Sequence, residues 1–584
     1  MKLALISDRA RISPQTGNLI QRDLPVGDAA RDLEARFVAD PEVRAPRGAV
    51  ASFQAVVSTD EPTDGAEIAL RVTPFTADGH SLEGATVCYE YPCQLDDEEW
   101  TFDGLVPADV YREAPAPARR GPLGPRRFHV FWIDLPVPRE VAPGAYRGRV
   151  EIEGAEPCEI TITVLPLALP LTPRITVGLN SYANRILEQH PDLPGDQIAA
   201  CEHSYYRAAH DHRAVLQYLG YGHSGIVADG YAPPLTGRGR HLRVADWEAY
   251  DRRFGPLLDG SAMAGSPGGE RPVPHFYLPF NYDWPADFAN FRTRGYELEW
   301  ANLLAEFRRH FQEKGWTETK FEVFFNPKKR YRFYPWDGDE TKDSADREHF
   351  LYFGSLIDRA ARLAGPAGAK TRIIYRTDIS WSFIQDALHD QIGPLFDLWV
   401  VNMGNFTWSR SAVEALTARG HLAWTYSTAD DSANPGRPMM DLDRQVITSW
   451  RRGADGLLPN WLATGTDAEL DRASALAMLY PGHRFGFPQA LTSLRLSRLR
   501  RATETADLLE MLAHRGRALV DELADVNDDD WWGATPAWTL QPTETMRGEM
   551  YGWQPTPDPL SERDPYLPAL LRDRAIELLL ERIS

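Results

Sequence analysis

Phe396-Asp-Leu-Trp-Val-Val-Asn402 and His421-Leu-Ala-Trp-Thr-Tyr-Ser427 decide how the chain is read. Each is a short apolar run ending in a polar residue, the pattern of a strand buried on both faces. Runs of the same kind occupy Ile175 to Asn180, His223 to Val227, Val273 to Phe280, Phe321 to Asn326, Arg372 to Thr377 and Asp455 to Asn460. Between them lie amphipathic stretches such as Tyr205 to Leu219, Leu298 to Phe311 and Phe350 to Leu363, whose apolar residues recur at helical spacing. Alternating strands and helices imply parallel β/α units, and eight such units in roughly 300 residues predict a (β/α)8 TIM barrel. Residues 174–492 are assigned to it. An open doubly wound sheet is the runner-up, but no GxGxxG follows a strand and opens a helix.

Upstream the pattern changes. Ala51 to Ser58, Ile68 to Val72, Phe128 to Asp134, Tyr146 to Ile152 and Glu159 to Leu165 are short β-rich runs separated by Pro and Gly, which predicts an N-terminal antiparallel β-sandwich over residues 1–168. Pro166-Leu-Ala-Leu-Pro-Leu-Thr-Pro173 then reads as a stiff connector. Downstream, residues 493–584 read as a helical, Trp-rich C-terminal extension packing on the barrel. Its helices are expected over Leu494 to Leu519 and Pro565 to Ile583, with Asp528-Asp-Asp-Trp-Trp532, Trp538 and Trp553 between them.

Composition narrows the function. Lys and Arg number 63 against 83 Asp and Glu, a net charge of −20 that would repel a phosphate backbone, so nucleic acid is not an expected partner. No apolar run of about 18 residues is present, so no membrane partner is expected, and Met1-Lys-Leu-Ala-Leu-Ile-Ser-Asp8 meets an acid before a signal-peptide core forms. The chain reads as cytoplasmic. Cys88, Cys93, Cys158 and Cys201 make no disulfide framework, although the close pair Cys88 and Cys93 brackets a short segment. The 17 Trp and 22 Tyr bias the reading toward carbohydrate, whose rings stack on flat aromatic faces.

In a TIM barrel the reacting groups sit at the carboxyl ends of strands and in the loops that follow. After the fourth strand comes a loop ending Tyr334-Pro-Trp-Asp-Gly-Asp-Glu340, which places Asp337, Asp339 and Glu340 on that face. Carboxylates packed so closely raise the proton affinity of at least one, and a glycosidase needs a protonated acid to release the leaving oxygen. The plain alternative is a solvated acidic loop tip before a helix. A calcium loop is a third reading, but Lys342 stands where its turn needs Gly. Strand seven has no carboxylate before Asp430 and Asp431, so a second acid close to the first is not evident. A substrate acetamido group acting as nucleophile removes that need: Asp339 would orient it and Glu340 would serve as acid and then base. Candidate substrate-binding residues at strand ends are Asn281, Trp284, Trp336, Asp337, Asn402, Trp424, Tyr426, Asn460 and Trp461, since amides clamp hydroxyls and aromatic rings stack on sugars. His210-Asp211-His212 resembles a metal cluster, but residues two apart on a helix face different ways, so no metal and no cofactor is expected.

Phe131-Trp-Ile-Asp-Leu-Pro-Val-Pro138, Pro143-Gly-Ala-Tyr-Arg-Gly148 and Arg47-Gly-Ala-Val-Ala-Ser-Phe-Gln54 resemble the β-sandwich that precedes the barrel in glycoside hydrolase family 123 and its DUF4091-type relatives. Leu479-Tyr-Pro-Gly-His-Arg-Phe-Gly486, with Ser493 to Leu496, is similar to that group's barrel-closing segment, and Trp336-Asp-Gly-Asp-Glu340 stands where relatives carry a Trp and an Asp-Glu-Pro. The resemblance implies β-N-acetylhexosaminidase-like chemistry with Glu340 as acid/base and Asp339 holding the acetamido group. This chain departs in Thr341, where the family has Pro, and in the basic, aromatic insert Lys328 to Trp336. The expectation is therefore an exo-acting glycosidase with an oligosaccharide or glycoside as partner, a homo-oligomer being left open. The alternatives are a glycosidase for sugars without an acetamido group, furanosides included, using Glu340 and a remote Asp such as Asp283, Asp430 or Asp431, and an inactive carbohydrate-binding protein.

Overall fold

The computed structural model describes residues 1–22, 42–96, 98–339, 346–379, 392–403, 406, 410–427, 433–532 and 566–582. Eight strands form one all-parallel sheet: β1 (Thr176–Tyr182), β2 (Ala214–Leu219), β3 (His275–Tyr277), β4 (Lys320–Phe324), β5 (Arg372–Ile379), β6 (Leu398–Asn402), β7 (Leu422–Tyr426) and β8 (Gly456–Leu458). Their order, β2-β1-β8-β7-β6-β5-β4-β3, curls the sheet into a nearly closed barrel. The open seam falls between β2 and β3, where Leu219, Tyr221, Tyr277 and Phe324 pack together. The Tyr221 hydroxyl crosses it, donating to the Phe280 carbonyl at 3.3 Å.

Along the chain the described helices alternate with these strands: α1 (Ile198–Asp211), α2 (Glu248–Leu258), α3 (Arg294–Glu313), α4 (Arg347–Ala364), α5 (Arg410–Ala418) and α6 (Met440–Arg451), with α7 (Leu494–Ala513) following β8. Seven of the eight expected strands overlap observed ones; the second does not. Tyr205 to Leu219, expected as one helix, is instead the end of α1 and the whole of β2, split by Arg213 in the left-handed region (φ 55°). The cause is local: Ala214-Val-Leu-Gln-Tyr-Leu219 is buried at every position, so its apolar run carries no period to tell strand from helix. His223 to Val227 lies in the loop beyond, where a single Tyr221–Val227 bridge takes the place of a strand.

The N-terminal part forms two sheets that share one core, with Phe53, Tyr89, Phe131 and Ile133 of one packed with Tyr146, Val150, Ile160 and Ile162 of the other. Late in the chain, Ala490–Ser493 adds to the first sheet by pairing with Trp100–Pro107, so this antiparallel sheet is completed from beyond the barrel. Cys88 and Cys93 both lie on the extended strand Thr86–Gln94 and are free thiols.

Helix α7 begins at Ser493, whose hydroxyl accepts from the Leu496 N–H as an N-cap. Its alternating arginines tie the layers together. Arg495 forks onto Asp103 (2.9 and 2.8 Å), Arg500 forks onto Asp134 (2.8 Å twice), and Arg498 holds Asp443 of α6. The last helix, α8 (Leu567–Glu581), packs on α7, with Arg572 donating to Glu504 at 2.8 Å. Among the described residues no helix is long and apolar enough to cross a membrane.

Candidate active site

The barrel interior is divided by chemistry. On the β6–β8 side, Leu398, Val400, Trp424, Tyr426 and Leu458 fill it with apolar bulk. On the β3–β5 side stands a buried charge ladder. Neighbouring residues along a strand face opposite ways, so Glu322, Arg376 and Asp378 enter the interior while Phe321, Val323 and Tyr375 pack outward. Arg376, 1% exposed, forks onto Asp378 (2.7 and 2.9 Å) and reaches Glu322 at 3.2 Å. Glu322 also receives Gln217 Nε2 at 2.8 Å and His275 Nδ1 at 2.6 Å. Burial pushes the Glu322 carboxyl up, but the His275 and Arg376 contacts outweigh it and leave it below the ordinary value. Burial likewise lowers His275, which as a neutral ring donates Nδ1–H to Glu322 and accepts Lys320 Nζ at Nε2 (3.3 Å). Asp378, nearest the carboxyl end, keeps 12% of its side chain exposed.

Above this ladder sits the loop between β4 and α4. The Lys328 to Trp336 insert separates Asp339 from its strand in sequence but not in space. The Gly338 N–H donates to the Pro327 carbonyl at 2.8 Å, so the loop returns to its own starting point and sets Asp339 beside Lys328, with Nζ 3.0 Å from Oδ2. His223, from the loop after β2, is fixed to the same place. Its carbonyl accepts the Lys328 N–H (3.0 Å), its Nδ1 donates to the Asn326 carbonyl (3.1 Å), and Nδ1 lies 3.9 Å from Asp339 Oδ2. Tyr182, at the end of β1, feels both Asp339 and Asp378: burial first, then these two carboxylates, push its hydroxyl well above the ordinary tyrosine value, so it stays a donor. The loop's closure depends on Gly338, where a Cβ would stand 2.5 Å from the Phe325 carbonyl oxygen and 2.7 Å from the Tyr282 hydroxyl. Gly338→Ala is expected to cost about 1–3 kcal/mol in denaturant unfolding, and a loss below 0.5 kcal/mol would show that the loop relaxes freely.

The expected residues divide. Asp339, Asn402 and Tyr426 at the paired ends of β6 and β7, and Trp461 beyond β8 all lie at the carboxyl end of the barrel. Trp461 is 43% exposed and its carbonyl accepts from Asn180 Nδ2 at 2.9 Å. Trp424 lies deeper, its ring 4.9 Å from His275. The others build the walls. Asn281 is fully buried in a turn, accepting from the Asp283 N–H (2.9 Å) and donating to Pro279 (3.1 Å). Trp284 packs edge-on against Phe280, and Trp336 is wedged between Phe291 and His349 beneath the loop. Asp337 accepts the Lys329 N–H (2.9 Å), and Asn460 accepts the Leu462 N–H (3.1 Å). Glu340, Asp430 and Asp431 lie outside the described residues, and so does Lys342, on which the calcium-loop reading turned. Asp283 is committed to Arg332 (2.6 Å) and to the Phe288 N–H (2.9 Å). His210, Asp211 and His212 point to separate partners, Gly269, Ser266 and Ala208. Sequence reasoning missed Lys328, His223 and Asp378 as parts of the mouth. For Asp378 a signal existed, since Arg376-Thr-Asp378 puts two charges on one face of a strand that is otherwise buried.

No family model matches the chain, and no curated protein does. Among solved structures, a family 123 glycoside hydrolase from Clostridium perfringens, described in a study of glycolipid glycan hydrolysis, is similar over 99% of both chains, with a TM-score of 0.61 and 11% sequence identity. That likeness extends the shared architecture over the whole length and concerns the fold alone. A Bacteroides ovatus GH5 xyloglucanase is matched at 10% identity over 79% of this chain and 98% of its own, with a TM-score of 0.32.

Proposed function

We propose that the protein is an exo-acting glycoside hydrolase, β-N-acetylhexosaminidase-like, built as a sandwich (1–168), a (β/α)8 barrel (174–492) and a helical extension (493–584). The observation that carries this is the placement of Asp339: a half-buried carboxylate at the mouth of a barrel whose interior is blocked below it by Arg376 and Asp378. A blind floor accommodates one terminal sugar. In the reaction, the acetamido oxygen of that sugar attacks its own anomeric carbon while Glu340 gives a proton to the departing glycosidic oxygen, and Asp339 accepts the acetamido N–H. Water then opens the cyclic intermediate with Glu340 as base, which returns its proton. Tyr182 and Lys328 supply donors at the same place, and an oligosaccharide or glycoside is the partner.

One observation favours a second reading. Asp378 is a second carboxylate at the mouth, bearing on Tyr182 together with Asp339, and would serve a glycosidase acting on sugars without an acetamido group. A panel of aryl glycosides that includes a β-N-acetylgalactosaminide and furanosides tests both. The expected result is turnover of an acetamido sugar, inhibition by a thiazoline analogue, and about a hundredfold loss of kcat in Asp339→Asn with the thermal midpoint kept. Turnover confined to other sugars, unaffected by the thiazoline, would move the chemistry to the second reading. Binding of oligosaccharide without turnover of any member would leave an inactive carbohydrate-binding protein.

A further inference from the structure

We infer that His223 and Tyr331 form a subsite for the first sugar of the leaving group, so that the substrate is a glycan of at least two sugars rather than a simple glycoside; this rests on the glycosidase reading above. Three rings lead outward from the barrel floor beside Asp339. Tyr182 lies innermost, His223 follows with ring centroids 6.0 Å apart, and Tyr331 comes next at 5.1 Å from His223. Tyr182 and His223 are both partly buried, the His223 side chain keeping 23% exposed, and Tyr331 at the outer end is 50% exposed. The line is held in place, because His223 is bonded to Asn326 and Lys328 at the end of β4, and the Tyr331 N–H donates to the Lys328 carbonyl at 3.0 Å.

Direction follows from the floor. Arg376, Tyr277 and Phe324 are buried below the mouth, so a sugar seated against Asp378 and Asp339 has no path inward for the rest of its glycan. The leaving group must pass outward, and His223 and Tyr331 line the way out that starts beside Asp339. Both rings join an apolar face to a polar edge, and the Arg330 guanidinium lies 5.0 Å from the Tyr331 ring centre, a combination suited to a pyranose with its hydroxyls at the rim. Tyr331 belongs to the Lys328 to Trp336 insert, which thereby gains a use beyond closing the loop.

The test compares Tyr331→Ala and Tyr331→Phe with wild type on two substrates, the β-linked disaccharide and the methyl glycoside of whichever sugar the aryl panel turns over. Intrinsic leaving ability cancels in each variant-to-wild-type ratio. Tyr331→Ala is expected to lower kcat/KM about fivefold or more on the disaccharide and less than twofold on the methyl glycoside, with Tyr331→Phe close to wild type. Equal losses on both substrates, or no loss on either, would overturn the subsite while leaving the glycosidase reading intact. If the panel shows no turnover, that reading fails by itself. Titration of the same proteins with N,N′-diacetylchitobiose, lactose and cellobiose, followed by NMR, then decides the subsite: a tyrosine resonance absent from Tyr331→Ala must shift, and silence from all three sugars overturns it.

Discussion

Glu340→Gln is expected to lower kcat on a natural, sugar-linked substrate by about 10³–10⁴ while leaving the thermal midpoint within a degree or two of wild type. The reasoning is chemical. A glycosidic oxygen departs as a poor leaving group unless it is protonated as the bond breaks, and an amide has no proton of suitable acidity to give. In the proposed mechanism the same side chain later takes a proton from water, so both steps suffer. Aryl glycosides with acidic phenols need less help in the first step and should lose less, which separates loss of an acid from loss of folding. Azide, which needs no base to attack, should restore turnover and yield a glycosyl azide of retained configuration if the intermediate is a cyclised acetamido group. Activity within tenfold of wild type on all substrates would remove Glu340 from the mechanism, and with it the role given to its neighbour Asp339.

Much of the fold was legible because barrel strands buried on both faces leave short apolar runs, and seven of these appear where the sequence puts them. β2 was not legible, because a fully buried run following a helix looks like more helix until a break such as Arg213 is seen in the backbone. The site was legible to the level of the loop. Strand-end position put Asp339 at the mouth of the barrel, where the structure has it, yet the same rule also selected Asn281, Trp336 and Asn460, which the structure uses to shape turns and support the loop. Sequence position fixes which end of the barrel a residue occupies; the direction of its side chain is set by loop closure and packing, which depend on contacts far apart in the chain. The meeting of His223 with Asp339 is such a case, since it required two loops from non-adjacent strands to bond to each other. A charge inside a buried strand is a different kind of signal, visible in Phe321-Glu-Val-Phe324 and Ile373-Ile-Tyr-Arg376 and demanding a partner wherever it occurs.

That demand gives the second large effect. Arg376→Met is expected to destabilise the protein by about 3–5 kcal/mol at neutral pH, measured by urea unfolding, because Glu322 and Asp378 both lose the cation they share inside the barrel. The cost belongs to the stranded charges more than to lost packing, since Met keeps most of the volume, so adding Glu322→Gln should recover part of it and reveal a coupling of about 1–3 kcal/mol between the two positions. The pH dependence follows from the direction of the Glu322 shift. Its folded pKa lies below the ordinary 4.5, so the stability that the ionised carboxylate contributes is complete above that value and is lost as pH falls through the folded pKa. The gap between wild type and Arg376→Met should therefore be widest near neutrality and close in acid, once protonation has removed the negative charge that Arg376 balances. A gap that stays constant down to pH 3 would mean that Arg376 acts by packing alone. Asp378 would then have to be held at the mouth by something other than the ladder beneath it, and the floor proposed to confine a terminal sugar would lose its rigid base.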